Sequence, residues 1–301
     1  MSQWIIFSLF APFLWAVANL QDRWLCAKAV KNEYILTFIA AGLRLPVFIV
    51  WFAIAGWYLP SVTHLLMVLV AGILAIIPVI FYLRALKEEE SSRVMLVYYS
   101  ASPVITFILS TIFLGERFSS SNLTGAAFLL VAAIFSVIKF QKGFLQFRSA
   151  VLWVFISSIL WPISDIIIKY LTPYFPSTLT LTAWMNVGEF CAIFSVFLFP
   201  QFARNFSLKS FKFSKKIWLV LIANMFVFQT GLYLFLRAIA LERVALIIVI
   251  TAIQPLMLFI MELLVHKFLP QVGKVDVSVR SLLPKIVAIC FFAVGVWFIS
   301  I

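Results

Sequence analysis

Apolar runs of about twenty residues follow one another along almost the whole chain, and they leave few folds open to it. Ten can be marked: 2–21, 34–56, 62–86, 93–114, 122–140, 149–171, 178–200, 216–238, 244–265 and 282–301. Each is long enough to cross a hydrocarbon layer of about 30 Å as a helix. Only short connections remain between them, so no soluble domain can be built from the rest. The runs are continuous rather than alternating in segments of about ten residues, which speaks against a membrane barrel. A backbone in lipid must satisfy its own hydrogen bonds, so each run is expected as helix. Composition agrees, with 64% hydrophobic and 11% charged residues, where a soluble domain carries about 45–50% and about 25%. No aqueous core buries such a surplus. The expected fold class is an all-α integral membrane protein with ten transmembrane helices. Ser2 to Leu20 lacks the basic flank and small-residue cleavage site of a signal peptide and reads as a retained first span.

The formal charge is +12, but its placement matters more than its size. Eighteen of the 23 Lys and Arg residues fall in the connections after runs 1, 3, 5, 7 and 9 or within a few residues of them, among them Lys209, Lys212, Lys215 and Lys216. Four lie toward the opposite face (Arg117, Lys169, Arg237 and Arg243), and Arg44 sits inside a run. Basic loops face the cytoplasm and meet anionic lipid, so both termini are expected outside. A nucleic-acid partner is not expected from this pattern, and membrane lipid is. Cys26, Cys191 and Cys290 are scattered, and His64 and His266 lie far apart, so neither a metal nor a cofactor is expected. With no Walker-type glycine-lysine loop, movement of a solute would draw on a solute or ion gradient, a proton or another ion, rather than on ATP.

The two halves of the chain share a pattern. Leu83-Arg84-Ala85-Leu86 leads after a charged loop into an apolar run holding Pro103, and Leu236-Arg237-Ala238-Ile239 leads likewise to Pro255. Arg84 precedes Pro103 by 19 residues and Arg237 precedes Pro255 by 18. Near the start of each half, a shift of 146 places Leu14-Trp15 on Leu160-Trp161, Asn19 on Asp165, and Gly42 on Gly188. The expected units are therefore 1–141 and 142–301. Five helices is an odd number, so the second unit enters the membrane upside down relative to the first. Such an inverted 5+5 repeat places a solute site near the midplane, between the units.

Leu83-Arg84-Ala85-Leu86, Pro103 and Phe113-Leu114-Gly115-Glu116-Arg117 resemble the EamA-type transporters of the drug/metabolite transporter superfamily. In the second half Leu236-Arg237-Ala238-Ile239 and Pro255 keep to the pattern, whereas Val265-His266-Lys267 departs from it. The resemblance implies a ten-helix inverted repeat that moves a small metabolite by alternating access, with amino acids, nucleotide sugars and choline-like cations among the family's solutes.

Candidate site residues follow from depth. Arg44 and Glu189 each fall about ten residues into a run, hence near the bilayer centre at about 1.5 Å per residue. A charge there costs at least about 2.5–3.5 kcal/mol and turns to a partner or a cavity. A structural ion pair and a solute or proton contact are both open to them. Asp165 is expected either to pair with Lys169 one turn on or to stand at a cavity mouth, with Asn19 as its counterpart. Trp15, Trp161, Trp184, Tyr98, Tyr99, Tyr233 and Gln254 are the aromatic and polar candidates for solute contact, each also open to a packing role. Pro103 and Pro255, mid-run, suit either a hinge or a static kink.

The expected function is a secondary transporter, not an enzyme, monomeric or homodimeric, in a bacterial cell membrane. Interior charges of both signs point to an amino acid or an amino-acid derivative, S-adenosylmethionine-like solutes included, as small-molecule substrate. The rivals are a choline-type organic-cation carrier, and a membrane scaffold or lipid-modifying enzyme.

Overall fold

Helix boundaries in the computed structural model fall where the sequence carries caps and breaks. The structure describes residues 3–26, 32–89, 91–137, 140–141, 144–145, 149–198, 200, 203, 211–268 and 279–300. Lys28, Lys31, Lys139, Lys142, Arg148, Arg204, Lys209 and Lys274, which carry part of the sidedness argument, lie outside them.

Helix α1 (Gln3–Trp24) is followed by α2 (Glu33–Gly42), whose N-cap Asn32 accepts from the Tyr34 amide. After one residue, Leu43, the same apolar run continues as α3 (Arg44–Ala55). Ser61 caps α4 (Val62–Glu88), and α5 (Ser91–Leu114) and α6 (Ser120–Val137) complete the first half. Gly115, at φ 66° just past α5, takes the left-handed conformation that ends a helix without strain. A two-residue antiparallel pairing sets Phe140-Gln141 against Phe144-Leu145.

The second half begins with α7 (Ser149–Leu171). Ser177 then caps α8 (Thr178–Cys191), which tightens into a 3₁₀ stretch over Ala192–Leu198. Ser214 caps α9 (Lys215–Leu241). The chain closes with α10 (Val244–Thr251), α11 (Gln254–Phe268) and α12 (Val279–Ser300).

Three runs that read as continuous are thus interrupted. The second breaks at Leu43, the seventh turns 3₁₀ at Ala192, and the ninth breaks between Thr251 and Gln254. The last break has a plain cause: Pro255 lacks an amide hydrogen and suits the first turn of a new helix. Pro103, by contrast, lies inside the unbroken α5. Among the described residues, seven helical stretches are long and apolar enough to cross a membrane: those at 3–24, 33–55, 62–88, 97–114, 150–174, 215–241 and 244–265. By itself α8, with 14 residues, spans only about 21 Å. The chain is therefore a predominantly helical, multi-pass membrane protein.

In the packing, α4 lies against α7 and α8, α1 against α9 and α11, α5 against α6 and α7, and α6 against α12. Glycine sets the closest approach. A Cβ built on Gly72 of α4 would stand 2.2 Å from the Met185 carbonyl oxygen and 2.8 Å from Gly188 Cα. One built on Gly188 would stand 2.4 Å from the Leu69 carbonyl oxygen. Only glycine at both places lets the α4 and α8 backbones touch, as small residues do between helices in lipid.

Candidate functional site

The α4–α8 contact carries Glu189 directly after Gly188, and the break at Leu43 starts α3 with Arg44. The two side chains meet as an ion pair, 6% and 2% exposed. Both charges depend on further hydrogen bonds, because an interior ion pair alone barely offsets its desolvation. With its amide oxygen turned toward Arg44, Gln229 of α9 accepts from Arg44 Nε and Nη1 at 3.0 Å each and donates to Asn186 Oδ1 at 3.2 Å. The Phe228 ring covers the guanidinium at 5.2 Å. The pair therefore ties α3 to α8, with α9 completing it.

This group forms part of the wall of a cavity of about 160 Å³ lined by helices α1 to α5 and α7 to α11. Arg44, Glu189, Asp165, Asn19, Trp15, Trp161, Tyr98, Tyr99 and Gln254 all line it. Trp184 and Tyr233 do not. Trp184 donates its indole hydrogen to the Tyr58 carbonyl at 2.7 Å and packs among Phe52 and Trp57. Tyr233 stacks on Trp51 at 5.5 Å. Aromatic content placed both near the centre, but their helix faces turn them away from the cavity.

A second polar group crosses the cavity as a chain of hydrogen bonds. Tyr99 donates to Gln254 Oε1, and Gln254 Nε2 donates to Asn19 Oδ1. Asn19 Nδ2 donates to the Tyr82 hydroxyl at 2.6 Å, which donates to Asp22 Oδ2 at 3.3 Å. Asn224 Nδ2 closes the chain on Asp22 Oδ1 at 3.0 Å and also donates to the Ala18 carbonyl. Five helices are joined this way: α1, α4 and α5 of the first half, and α9 and α11 of the second. Each of the six side chains in this series, Tyr99, Gln254, Asn19, Tyr82, Asp22 and Asn224, thus has a partner, as a low-dielectric site demands.

Sequence reasoning passed over Asp22, Tyr82 and Asn224. Asp22 sits three residues after Asn19, hence on the same helix face, but beyond the drawn edge of the first run. Asn224 was a lone polar residue in an apolar run, the very signal that marks Arg44 and Glu189. Glu262 gave that signal too, and it pairs with Arg23 across α1 and α11 at 3.3 Å.

The pairing of Asp165 with Lys169 is not what forms. Lys169 Nζ instead donates to the Ile239 and Glu242 carbonyls at 2.8 and 2.7 Å, satisfying the open C-terminal end of α9. Asp165, freed of it, lines the cavity. Around Lys169 the helix ends close tightly on one another, with Ile168, Leu171, Leu236, Ile239 and Ile247 fully buried. Nearby, burial lifts the Glu116 carboxyl above the ordinary carboxylate range. The cavity extends the other way, toward Leu25, Leu36, Met95 and Leu221, where a Lys87–Glu33 ion pair ties α4 to α2.

Three comparisons bear on this geometry. Residues 2–138 match the model of the EamA-like transporter family. No curated protein matches the chain. One solved crystal structure superposes with a TM-score of 0.68 at 18% identity, covering 98% of this chain and 97% of the other. At that identity the likeness speaks to the fold.

Proposed function

We propose that the chain, whose residues 2–138 match the EamA-like transporter family, is a carrier of the drug/metabolite transporter superfamily that moves a small polar metabolite across the membrane by alternating access. The observation that supports this most is the central cavity, lined by buried charges and polar groups and reached by helices of both halves. A scaffold has no use for such a lining, whose charges each cost several kcal/mol to insert. An enzyme would need a nucleophile or acid–base cluster, and among the described residues the cavity wall offers a committed ion pair, a closed hydrogen-bond chain and one isolated carboxylate, Asp165.

The packing supports reading the chain as ten helices in two five-helix units, 1–141 and 142–301. If the units exchange, the contact of α4 with α7 becomes that of α9 with α1, and the contacts of α6 with α12 and of α3 with α8 map onto themselves. The ion pair, which joins the two units through α3 and α8, then sits close to the exchange axis. Rocking of one unit on the other opens the cavity alternately. The Lys169 seal has to part for one opening, and the Arg23–Glu262 pair for the other, with Pro103 and Pro255 as hinges. The substrate class is an amino acid or amino-acid derivative, with an organic cation as the second reading. A gradient of a proton, another ion or the solute drives it. The excess of basic residues near the opposite connections supports reading the Lys169 seal as the outer side of a cell membrane, with the present form facing inward.

The test is flux in proteoliposomes loaded with a mixed metabolite pool. Loss of at least one solute faster than from protein-free vesicles supports the reading. Identical retention of every solute under every imposed gradient would defeat it.

A further inference from the structure

Within the cavity wall the charges are unequally committed. The lining holds three carboxylates, Asp22, Asp165 and Glu189, and one guanidinium, Arg44. Arg44 is taken up by Glu189 and by Gln229. Asp22 accepts from Asn224 and Tyr82. Asp165 makes no hydrogen bond and no ion pair with any described residue. Of the three tyrosines that line the cavity with it, Tyr82 and Tyr99 spend their hydroxyls on Asp22 and Gln254, and Tyr98 makes no hydrogen bond to Asp165.

An acidic side chain inside a membrane protein turns to a partner or a cavity, and this one faces open space. Its surroundings are aromatic. Trp161 lies one helical turn before it on α7, and Tyr98 packs edge-on to Trp161 at 5.0 Å. Tyr82 stands 6.0 Å from the same indole, and Tyr99 stands 4.8 Å from Tyr98. A free carboxylate beside such rings matches one ligand group, a cation, which the acid neutralises and the ring faces attract. A substrate carboxylate finds no equivalent, because Arg44, the sole basic side chain among the described residues of the wall, is already engaged.

We propose that Asp165 is the anchor for the positively charged group of the substrate, and that the carrier takes amino-acid derivatives bearing net positive charge in preference to zwitterionic or acidic ones. This rests on the carrier reading and narrows it. The cationic nitrogen or sulfonium centre sits against Asp165 and the Trp161–Tyr98 corner, and the uncharged remainder extends along the apolar wall toward Phe228 and Phe235.

A matched set of probes isolates charge from shape: phenylalaninamide, phenylalanine and N-acetylphenylalanine, which are cationic, zwitterionic and anionic. Binding to the purified full chain is read from quenching of tryptophan fluorescence, since Trp15 and Trp161 line the cavity. The amide binds at least tenfold tighter than the amino acid, and the N-acetyl compound binds weakest. Asp165→Asn abolishes the preference and Asp165→Glu keeps part of it, with thermal melting to show that each variant folds. Equal or tighter binding of the N-acetyl compound overturns the proposal, as does an unchanged preference in a folded Asp165→Asn variant or binding of none of the three. Flux of the mixed pool separates the two readings. Continued flux leaves a carrier of different selectivity, and its absence removes the carrier as well.

Discussion

A single methyl group at Gly188 tests how the helix contact supports the site. In Gly188→Ala the new Cβ would fall 2.4 Å from the Leu69 carbonyl oxygen and 2.8 Å from Leu69 Cα. Non-bonded atoms of this kind settle at about 3.5 Å, so α4 and α8 must separate by about 1 Å. The obstacle is backbone, and no rotamer relieves it. Overpacking of this sort costs about 1–3 kcal/mol, and the shift falls on the residue adjoining Glu189, loosening its grip on Arg44. Gly42→Ala is the internal control, because its Cβ would meet only Ile193 Cδ1 at 3.6 Å. Thermal melting of the detergent-purified protein, followed by tryptophan fluorescence, should give a clearly lowered midpoint for Gly188→Ala and little change for Gly42→Ala. Gly72→Ala shares the same contact, so the double variant should lose less than the sum of the singles. Wild-type melting of Gly188→Ala, with Arg44 and Glu189 still coupled, would refute the reasoning.

Other outcomes follow from the same geometry. Arg44→Ala and Glu189→Gln each leave one buried partner uncompensated, a loss of about 3–5 kcal/mol; a double-mutant cycle by melting should return a large coupling, and each single should cut flux at least tenfold. Additive single losses would speak against the pair. Lys169→Met strips two charge-assisted bonds from the end of α9, each worth about 1.5–3 kcal/mol, and should destabilise the fold more than Lys216→Met, an exposed lysine; equal melting would contradict this. Cysteines placed in the 201–215 segment should resist a membrane-impermeant thiol reagent added to intact cells, and ready labelling would reverse the proposed sidedness.

Membrane class and the helical runs were legible because hydropathy acts over twenty residues and needs no partner. Arg44 and Glu189 were legible for the same energetic reason, since a lone charge in an apolar run demands an interior location. What the sequence hid was local and mutual. The break before Arg44 falls just ahead of Pro46, which has no amide hydrogen to give the Gly42 carbonyl, a local signal that the even hydropathy of the run masks. Lys169 offered a neighbour one turn away, yet two bare carbonyls at the end of α9 hold it better than a solitary carboxylate in the wall. Asp22 and Asn224 matter through each other, 202 positions apart, a relation no spacing rule conveys. Trp184 and Tyr233 show the opposite limit, for abundant aromatics say little about which face of a helix looks inward.

Once flux has named a solute, the decisive measurement is a structure determined with it bound. The solute should lie in the central cavity, between α1, α4, α5, α7 and α9, in contact with Asp165 or the Arg44–Glu189 pair. Density for it on the outer, lipid-facing surface, with that cavity unfilled, would contradict the account.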